Sequence, residues 1–381
     1  MSQRLASLDV FRGMTVALMI LVNNPGSWAH IHPPLRHAPW HGLTPTDLVF
    51  PFFLFIVGVA ISLGFSRRLG DDSSRPDLVR KILWRTFIIL SLGLFLNGFP
   101  FGLFGPENLA GVFTHLRFWG VLQRIAVCYF LVGLTVVFVP NLRGRLLLLA
   151  FWLLLYELMM RLPLVTGWGT GSFALEDNLV RFLDLRTLGE AHLYHVRGVA
   201  FDPEGLLSTL PAAATTMLGF FTGEFLRRPL SLKARLGMLI PSGFLLTGLG
   251  LNLALFEPVN KQLWTTSYVA LTGGLAMLVL SFCIWIIDGR GLRRGIRPAV
   301  VFGRNPLVVF VGSGILARVL YLVKMTGPEG KQVSLKQMLF QSIFEPLAGP
   351  VNGSFLYAAT FVALWLLLLW WMDHKGIYIK V

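Results

Sequence analysis

The residues best suited to chemistry lie in one stretch, His37-Ala38-Pro39-Trp40-His41-Gly42-Leu43-Thr44-Pro45-Thr46-Asp47. It runs directly into Leu48-Val49-Phe50-Pro51-Phe52-Phe53-Leu54-Phe55-Ile56-Val57-Gly58. An imidazole and a carboxylate therefore stand at the mouth of a segment apolar enough for a membrane. Ionisable groups are costly there and point to function. Pro33, Pro34 and Pro39 hold the backbone around His37 in extended or turn geometry. A carboxylate beside an imidazole fixes its tautomer and raises its basicity, as a general base requires. His37 and Asp47 are the candidate catalytic pair; an exposed loop histidine is the plainer alternative. His30, His32, His37 and His41 also invite zinc. Their spacing is not that of a helical His-Glu-x-x-His site, and the prolines break any continuous helix, so no metal is expected.

Other polar groups sit where apolar chain surrounds them. Arg124, in Gly120-Val121-Leu122-Gln123-Arg124, falls about 9 Å along a predicted span at 1.5 Å per residue. An arginine there costs about 3 kcal/mol unless paired or hydrated. It either pairs with Asp47 or Glu204, or faces a polar substrate or phosphate. Asn23 and Asn24 precede Pro25-Gly26; their amides could stabilise an anionic oxygen, or simply end a helix. Asp202-Pro203-Glu204-Gly205 has the form of a helix start, with proline in the first turn and acids favoured by the dipole. Near the inner face, Asp9 and Arg12 in Ser7-Leu8-Asp9-Val10-Phe11-Arg12-Gly13, and Asn305 in Gly303-Arg304-Asn305-Pro306, pair polarity with glycine. They could meet phosphates entering from the cytoplasm, or lipid headgroups.

The elements that position these groups are membrane helices. Of 381 residues, 55% are hydrophobic and 14% charged, and mean hydropathy is +0.67. That balance defines an all-α, polytopic membrane bundle forming a single domain over 1–381. Apolar runs of about 20 residues occur near 10–29, 47–66, 82–104, 118–139, 145–161, 205–226, 236–256, 264–287, 300–322 and 354–373, predicting ten spans. The net charge of +14 reflects lysine and arginine in cytoplasmic loops rather than nucleic-acid binding. Cys128 and Cys283 lie in apolar runs and give neither a disulfide framework nor a metal set. Residues 1–12 lack the pattern of a cleavable signal peptide. There is no internal repeat and no low-complexity tract.

Lysine and arginine fall on the N-terminal side of the bundle in about a two-to-one excess, so both termini are expected to be cytoplasmic. Segments 25–46, 162–204 and 323–353 are then outside, and 162–204 is long enough to form a small cap. Every histidine except His374 falls on the outer side, as do Asp47, Arg124 and Glu204.

Several separated motifs occur in one order: Ser7-Leu8-Asp9-x-Phe11-Arg12-Gly13, Val22-Asn23, the His37 to Pro51 run, Gly120-Val121-Leu122-Gln123-Arg124, Asp202-Pro203-Glu204-Gly205 and Gly303-x-Asn305. The pattern resembles the membrane catalytic domain of the heparan-alpha-glucosaminide N-acetyltransferase family and its bacterial relatives, over essentially the whole chain. The large lumenal N-terminal part of the animal enzyme has no counterpart in it. The resemblance implies acetyl transfer from cytoplasmic acetyl-CoA to the amino group of a glucosamine on the far side. It carries the family's active-site histidine onto His37, its neighbouring aspartate onto Asp47, its span asparagine onto Asn23, its arginine onto Arg124 and its acidic residue onto Glu204. Where the animal enzyme has a further histidine in the ninth span, this chain has Val311-Gly312-Ser313-Gly314. Some bacterial relatives are described instead as inner-membrane carriers linked to N-acetylglucosamine use.

The expected protein is thus a ten-span acyltransferase of the bacterial inner membrane. His37 takes the acceptor's proton and Asp47 orients it. Asn23 or Asn24 stabilises the tetrahedral oxygen. Arg124 and Glu204 position the acceptor or the pantetheine, and Asp9, Arg12 and Asn305 are the inner candidates. Direct transfer and an acetyl-histidine intermediate are both open. A transporter of N-acetylglucosamine or a related amino sugar needs similar polar groups but no thioester. A scaffold without chemistry leaves Arg124 unexplained. The partners expected are the bilayer and an amino-sugar or glycan acceptor, with a homodimer allowed and nucleic acid excluded.

Overall fold

The computed structural model describes residues 6–65, 75–102, 109–162, 165, 171–326 and 331–379. Arg4, Arg67, Arg68 and Lys380, which contribute to the charge bias, lie outside the described residues, as do 103–104 of the third predicted span. The first half comprises α1 (Ala6–Asn23), α2 (Val49–Phe65), α3 (Arg75–Gly98), a short α4 (Leu109–Thr114), α5 (Val121–Phe138) and α6 (Leu142–Arg161). α7 (Leu179–Leu188) and the hairpin β1 (His195–Val196) with β2 (Val199–Ala200) follow. Next come α8 (Thr209–Leu226), α9 (Leu232–Leu253), α10 (Thr266–Cys283), α11 (Arg297–Arg304) and α12 (Pro306–Leu322). The hairpin β3 (Lys324–Thr326) with β4 (Gln332–Ser334), α13 (Leu335–Leu339) and α14 (Glu345–His374) complete the chain.

Among the described residues, six helical stretches are long and apolar enough to cross a membrane: Ala6–Asn23, Pro45–Phe65, Val121–Phe138, Leu232–Leu253, Thr266–Gly289 and Leu335–His374. α11 and α12 make a seventh if taken as one span, bent by 83°. By this measure the described residues hold six or seven spans, and the count of ten is not confirmed. α3, α6 and α8 have spanning length, at 24, 20 and 18 residues, but are less lipid-like. α6 carries Arg143, Arg145, Glu157 and Arg161. α8 is rich in alanine, threonine and glycine, and most of it is buried. A helix enclosed by protein needs no lipid-like surface.

Small residues set the helix contacts. A Cβ on Gly58 of α2 would lie 1.8 Å from the Thr216 carbonyl oxygen of α8, and one on Gly219 would lie 1.9 Å from that of Phe55. Side-chain-free positions let the two backbones approach, as membrane bundles require. α1 meets α11 in the same way: a Cβ on Gly13 would strike the Ala299 carbonyl, and one on Gly303 that of Asp9. α1 thus includes Asp9 and Arg12, ahead of the span start predicted near residue 10, and Asp9 and Gly13 meet α11 directly.

Two predicted spans are broken. The run at 300–322 divides at Asn305 (φ −126°, ψ 50°), just before Pro306, which cannot donate a backbone hydrogen bond. α14 starts before the predicted 354 and is kinked at Gly349 (φ 75°), ahead of Pro350. The described part of the predicted cap, 171–204, packs on the bundle: Leu175, Val180, Val196 and Phe201 bury against Tyr156 and Met160 of α6, with Leu207 and Leu263, while 163–164 and 166–170 lie outside the described residues.

Candidate functional site

The His37 loop lies at the end of the bundle where α1 finishes and α2 starts, the outer end by the charge rule. A 3-10 turn, Pro45–Leu48, leads from this loop into α2 and carries Asp47, which is 1% exposed. Asp47 Oδ2 accepts from Ala38 N (3.0 Å), Thr44 N (3.1 Å) and Thr44 Oγ1 (2.9 Å), closing the loop on itself. The Asp47 carbonyl accepts from Tyr268 Oη of α10 at 2.6 Å. Trp40 Nε1 donates to Phe173 O at 2.8 Å and its ring packs edge-on against Phe201 of the cap. Gly42 N donates to Val259 O at 2.8 Å. The loop is thus fixed to α2, the cap and the α9–α10 connection.

This scaffold brings His37 and Asp47 together as expected from sequence: Nδ1 lies 2.6 Å from Oδ1. Lys261 Nζ lies 3.0 Å from the same Nδ1 and 3.4 Å from Asp47 Oδ1. In the neutral ring Nδ1 cannot both accept from the ammonium and give its proton to the carboxylate. The short contact to the anion decides: Nδ1–H donates to Asp47, and the lysine's charge serves that carboxylate. Nε2 is left deprotonated, without a partner among the described residues, on a side chain that is 42% exposed. Such a nitrogen can take a proton or attack a carbonyl. Burial holds Lys261 below the usual lysine pKa despite the opposing pull of Asp47 and Glu204. Burial also lowers His41, whose Nδ1 faces Asn260 Nδ2 at 3.2 Å.

Arg124, on the first turn of α5, is fully buried. Its Nη2 donates to Gly205 O (3.1 Å) and to Ser208 Oγ, and the guanidinium lies over Trp264, 5.2 Å from the ring centroid. Among the described residues it hydrogen-bonds no carboxylate, unlike the pairing with Asp47 or Glu204 that the sequence allowed. Glu204 instead accepts from Arg117 Nη2 at 2.5 Å. Arg117 is also bidentate on Asp202, with Nε at 2.8 Å and Nη2 at 2.7 Å. Burial opposes the Arg117 charge, but the bond to Asp202 and the nearby Glu204 outweigh it and raise its pKa.

Asn23 and Asn24 line a cavity of about 540 Å³ among α1, α3, α5, α12 and α14. Asn24 Nδ2 donates to Ile20 O at 2.8 Å, whereas Asn23 has no partner among the described residues. Arg117 also lines this cavity; His37, Asp47, Arg124 and Glu204 do not. The ion pair of Arg117 with Glu204 joins the cavity wall to the polar cluster, and the charge of Glu204 reaches Lys261 beside Asp47.

The remaining candidates lie at the opposite end of the bundle. Arg12 Nη1 donates to Gly303 O at 3.3 Å and stands 3.6 Å from Asp9. Asn305 is bracketed by the C-terminal segment, giving Nδ2–H to Ile377 O (3.1 Å) and accepting from Ile379 N (3.0 Å). The structure does not bring these three to His37. Sequence reasoning missed Arg117 and Lys261 as site residues. Arg117 could have been found by the logic that singled out Asp47, a charge at the mouth of an apolar run. Lys261 sits alone in a short loop and carries no spacing signal.

Fold and site together define an integral membrane protein of the polytopic helical class, with a carboxylate-held histidine on the loop entering one of its spans. Residues 4–256 match the family "Heparan-alpha-glucosaminide N-acetyltransferase, catalytic". The heparan-alpha-glucosaminide N-acetyltransferase of Homo sapiens is 32% identical, the alignment covering 82% of this chain and 53% of the human protein. Its Mus musculus counterpart is 29% identical over 83% and 54%. The chain belongs to this family, and spans about half the length of these curated relatives. The family match includes every candidate from Asp9 to Glu204; Lys261 and Asn305 lie beyond it.

Proposed function

We propose that this protein is a ten-span acetyltransferase of the bacterial inner membrane, α3, α6 and α8 included among its spans. It carries an acetyl group from cytoplasmic acetyl-CoA to an amino sugar or glycan at the outer face. The observation that carries this reading is the 2.6 Å contact of His37 Nδ1 with Asp47, which leaves Nε2 free. The printed activity of the relatives, an N-acetyltransferase, supports it.

In direct transfer, Nε2 takes a proton from the acceptor amine as the nitrogen attacks the thioester carbonyl. The tetrahedral intermediate then collapses, the C–S bond breaks, and the CoA thiolate takes the proton back from His37. In the two-step form, Nε2 itself attacks the thioester carbonyl and the C–S bond breaks, releasing the CoA thiolate; the amine then attacks the acetyl-imidazolium, the bond from the acetyl carbon to Nε2 breaks, and the proton lost by the amine ends on the thiolate. Asp47 stabilises the imidazolium in either route. The unpartnered Asn23 is the better donor to the tetrahedral oxygen; Asn24, already engaged with its own helix, shapes the cavity wall. Arg124 and Glu204 hold the 202–208 turn and the acceptor side. Asp9, Arg12 and Asn305 border the inner end, from which the donor comes.

Transport of an amino sugar is the second reading. The absence of His37 from the cavity lining favours it. Labelled acetyl-CoA and glucosamine supplied to purified protein separate the two. Turnover by wild type and none by His37→Ala supports the enzyme. Equal rates in both refute it, and sugar uptake by proteoliposomes without CoA supports the carrier.

A further inference from the structure

The outer cavity has a one-sided chemistry. Its lining includes Arg117, Arg318 and Lys336 and not one aspartate or glutamate among the described residues. Arg117 is neutralised by Asp202 and Glu204. Arg318 and Lys336 are not. Arg318 lies inside α12, where its only hydrogen bond among the described residues is from Nη1 to the Gly314 carbonyl of its own helix, at 3.2 Å. Lys336 Nζ rests over the Trp28 ring, 5.7 Å from its centroid, and has no anionic partner among the described residues.

A cation on a spanning helix is costly unless something answers its charge. Here nothing in the described protein does. The neutral lining adds a further donor: Gln123 is 2% exposed and its Nε2 has no partner. That side chain is accommodated by design of its neighbours, since a Cβ on Gly93 would lie 2.5 Å from Gln123 Oε1. A buried amide N–H without an acceptor is expensive, so the cavity offers cations and a spare donor with no carboxylate to answer them. Along α12 the lining runs from Phe310 to Leu322, about 18 Å at 1.5 Å per residue, deep enough for an extended ligand.

We infer that the α12–α13 side of this cavity is an oxyanion-binding subsite, with Arg318 and Lys336 as its cations and Gln123 as its buried neutral donor. This rests on the acetyltransferase reading. The ligand group it takes is an acidic substituent of the acceptor sugar, since the donor comes from the other end of the bundle; a donor phosphate would offer the same chemistry, and the test separates the two. Either supplies the anionic oxygens that the described lining lacks, and a neutral hexosamine supplies no charge to match.

The test is ligand binding by the purified full chain in detergent, read as thermal stabilisation. The probes are coenzyme A against phosphate-free pantetheine, and glucosamine 6-phosphate against glucosamine. Arg318→Gln and Lys336→Gln are each expected to weaken the anionic member of one pair by about tenfold or more, while its neutral partner binds as in wild type. Arg318→Lys should recover most of the loss. Loss confined to coenzyme A assigns the subsite to the donor, and loss confined to glucosamine 6-phosphate assigns it to the acceptor. The inference is overturned if neither variant changes any anionic probe, if neutral and anionic probes weaken together, or if only added anionic lipid stabilises the protein. Because the readout is binding, a wild type that binds these anions yet transfers no acetyl group would sink the enzyme reading and leave the subsite standing.

Discussion

Asp47→Asn is the sharpest perturbation of the His37 site, because it keeps the shape of the side chain and changes only what it can donate. Asp47 Oδ2 now faces three donors, Ala38 N, Thr44 N and Thr44 Oγ1, at 2.9 to 3.1 Å. An asparagine must turn its oxygen toward those donors, since an NH2 there would face two N–H groups. Its NH2 then points at His37 Nδ1, the position now held by Oδ1 at 2.6 Å. Nδ1 must accept, the ring proton moves to Nε2, and the nitrogen that should take the acceptor's proton is already occupied. A positioned base contributes about 10²- to 10⁴-fold to a rate, so kcat should fall by that range, or about 3–5 kcal/mol of barrier. The KM for acetyl-CoA should change little. Initial rates of acetyl transfer to glucosamine measure this, with the melting temperature in detergent checking that the loop still folds. An Asp47→Asn protein that folds and turns over within a few-fold of wild type would refute the tautomer argument.

Three further outcomes follow from packing and burial. Gly58→Ala puts a methyl group 1.8 Å from the Thr216 carbonyl; overpacking of this kind costs about 1–3 kcal/mol, and the melting temperature should drop. Gly64→Ala, on the same helix with nothing within 4 Å, should be neutral or slightly stabilising, and equal effects from the two would contradict the proposed helix contact. Burial raises the Asp184 carboxyl to about 7, against 3.8 in an unperturbed aspartate. The native state then holds a proton that the unfolded chain releases, so stability from this group is full below about pH 4 and falls as pH rises to about 7. The loss is at most about 4 kcal/mol. Asp184→Asn keeps the acceptor for Leu206 N, now at 2.9 Å, and should flatten that part of the melting curve against pH; parallel curves for mutant and wild type would count against it.

How much of this was legible in the sequence differed from group to group. The His37–Asp47 pair was legible because ten residues of proline-punctuated loop leave few ways to separate its ends, and because a carboxylate at the mouth of an apolar run needs a partner. The helical membrane class followed from composition. Span limits were less legible, since hydropathy cannot see neighbours. α8 is enclosed by protein and therefore less apolar than lipid would require, and α1 extends through Asp9 and Arg12, with Gly303 and Ala299 packed against it. The break at Asn305 had a signal in Pro306, but the bracketing of Asn305 by Ile377 and Ile379 joins distant parts of the chain that no local pattern connects. Lys261 reaches Asp47 only through the packing of the α9–α10 connection on the His37 loop. Arg124 was recognised as anomalous from its depth, yet its partners, a carbonyl and a hydroxyl on the 202–208 turn, depend on how α5 meets α8.

The central claim is that His37 passes acetyl groups across a membrane. It is tested most directly in proteoliposomes with glucosamine trapped inside and labelled acetyl-CoA, which does not permeate, added outside. Labelled N-acetylglucosamine should accumulate in the lumen with wild type and be absent with His37→Ala. Product confined to the acetyl-CoA side, or the same lumenal product from His37→Ala, would contradict it.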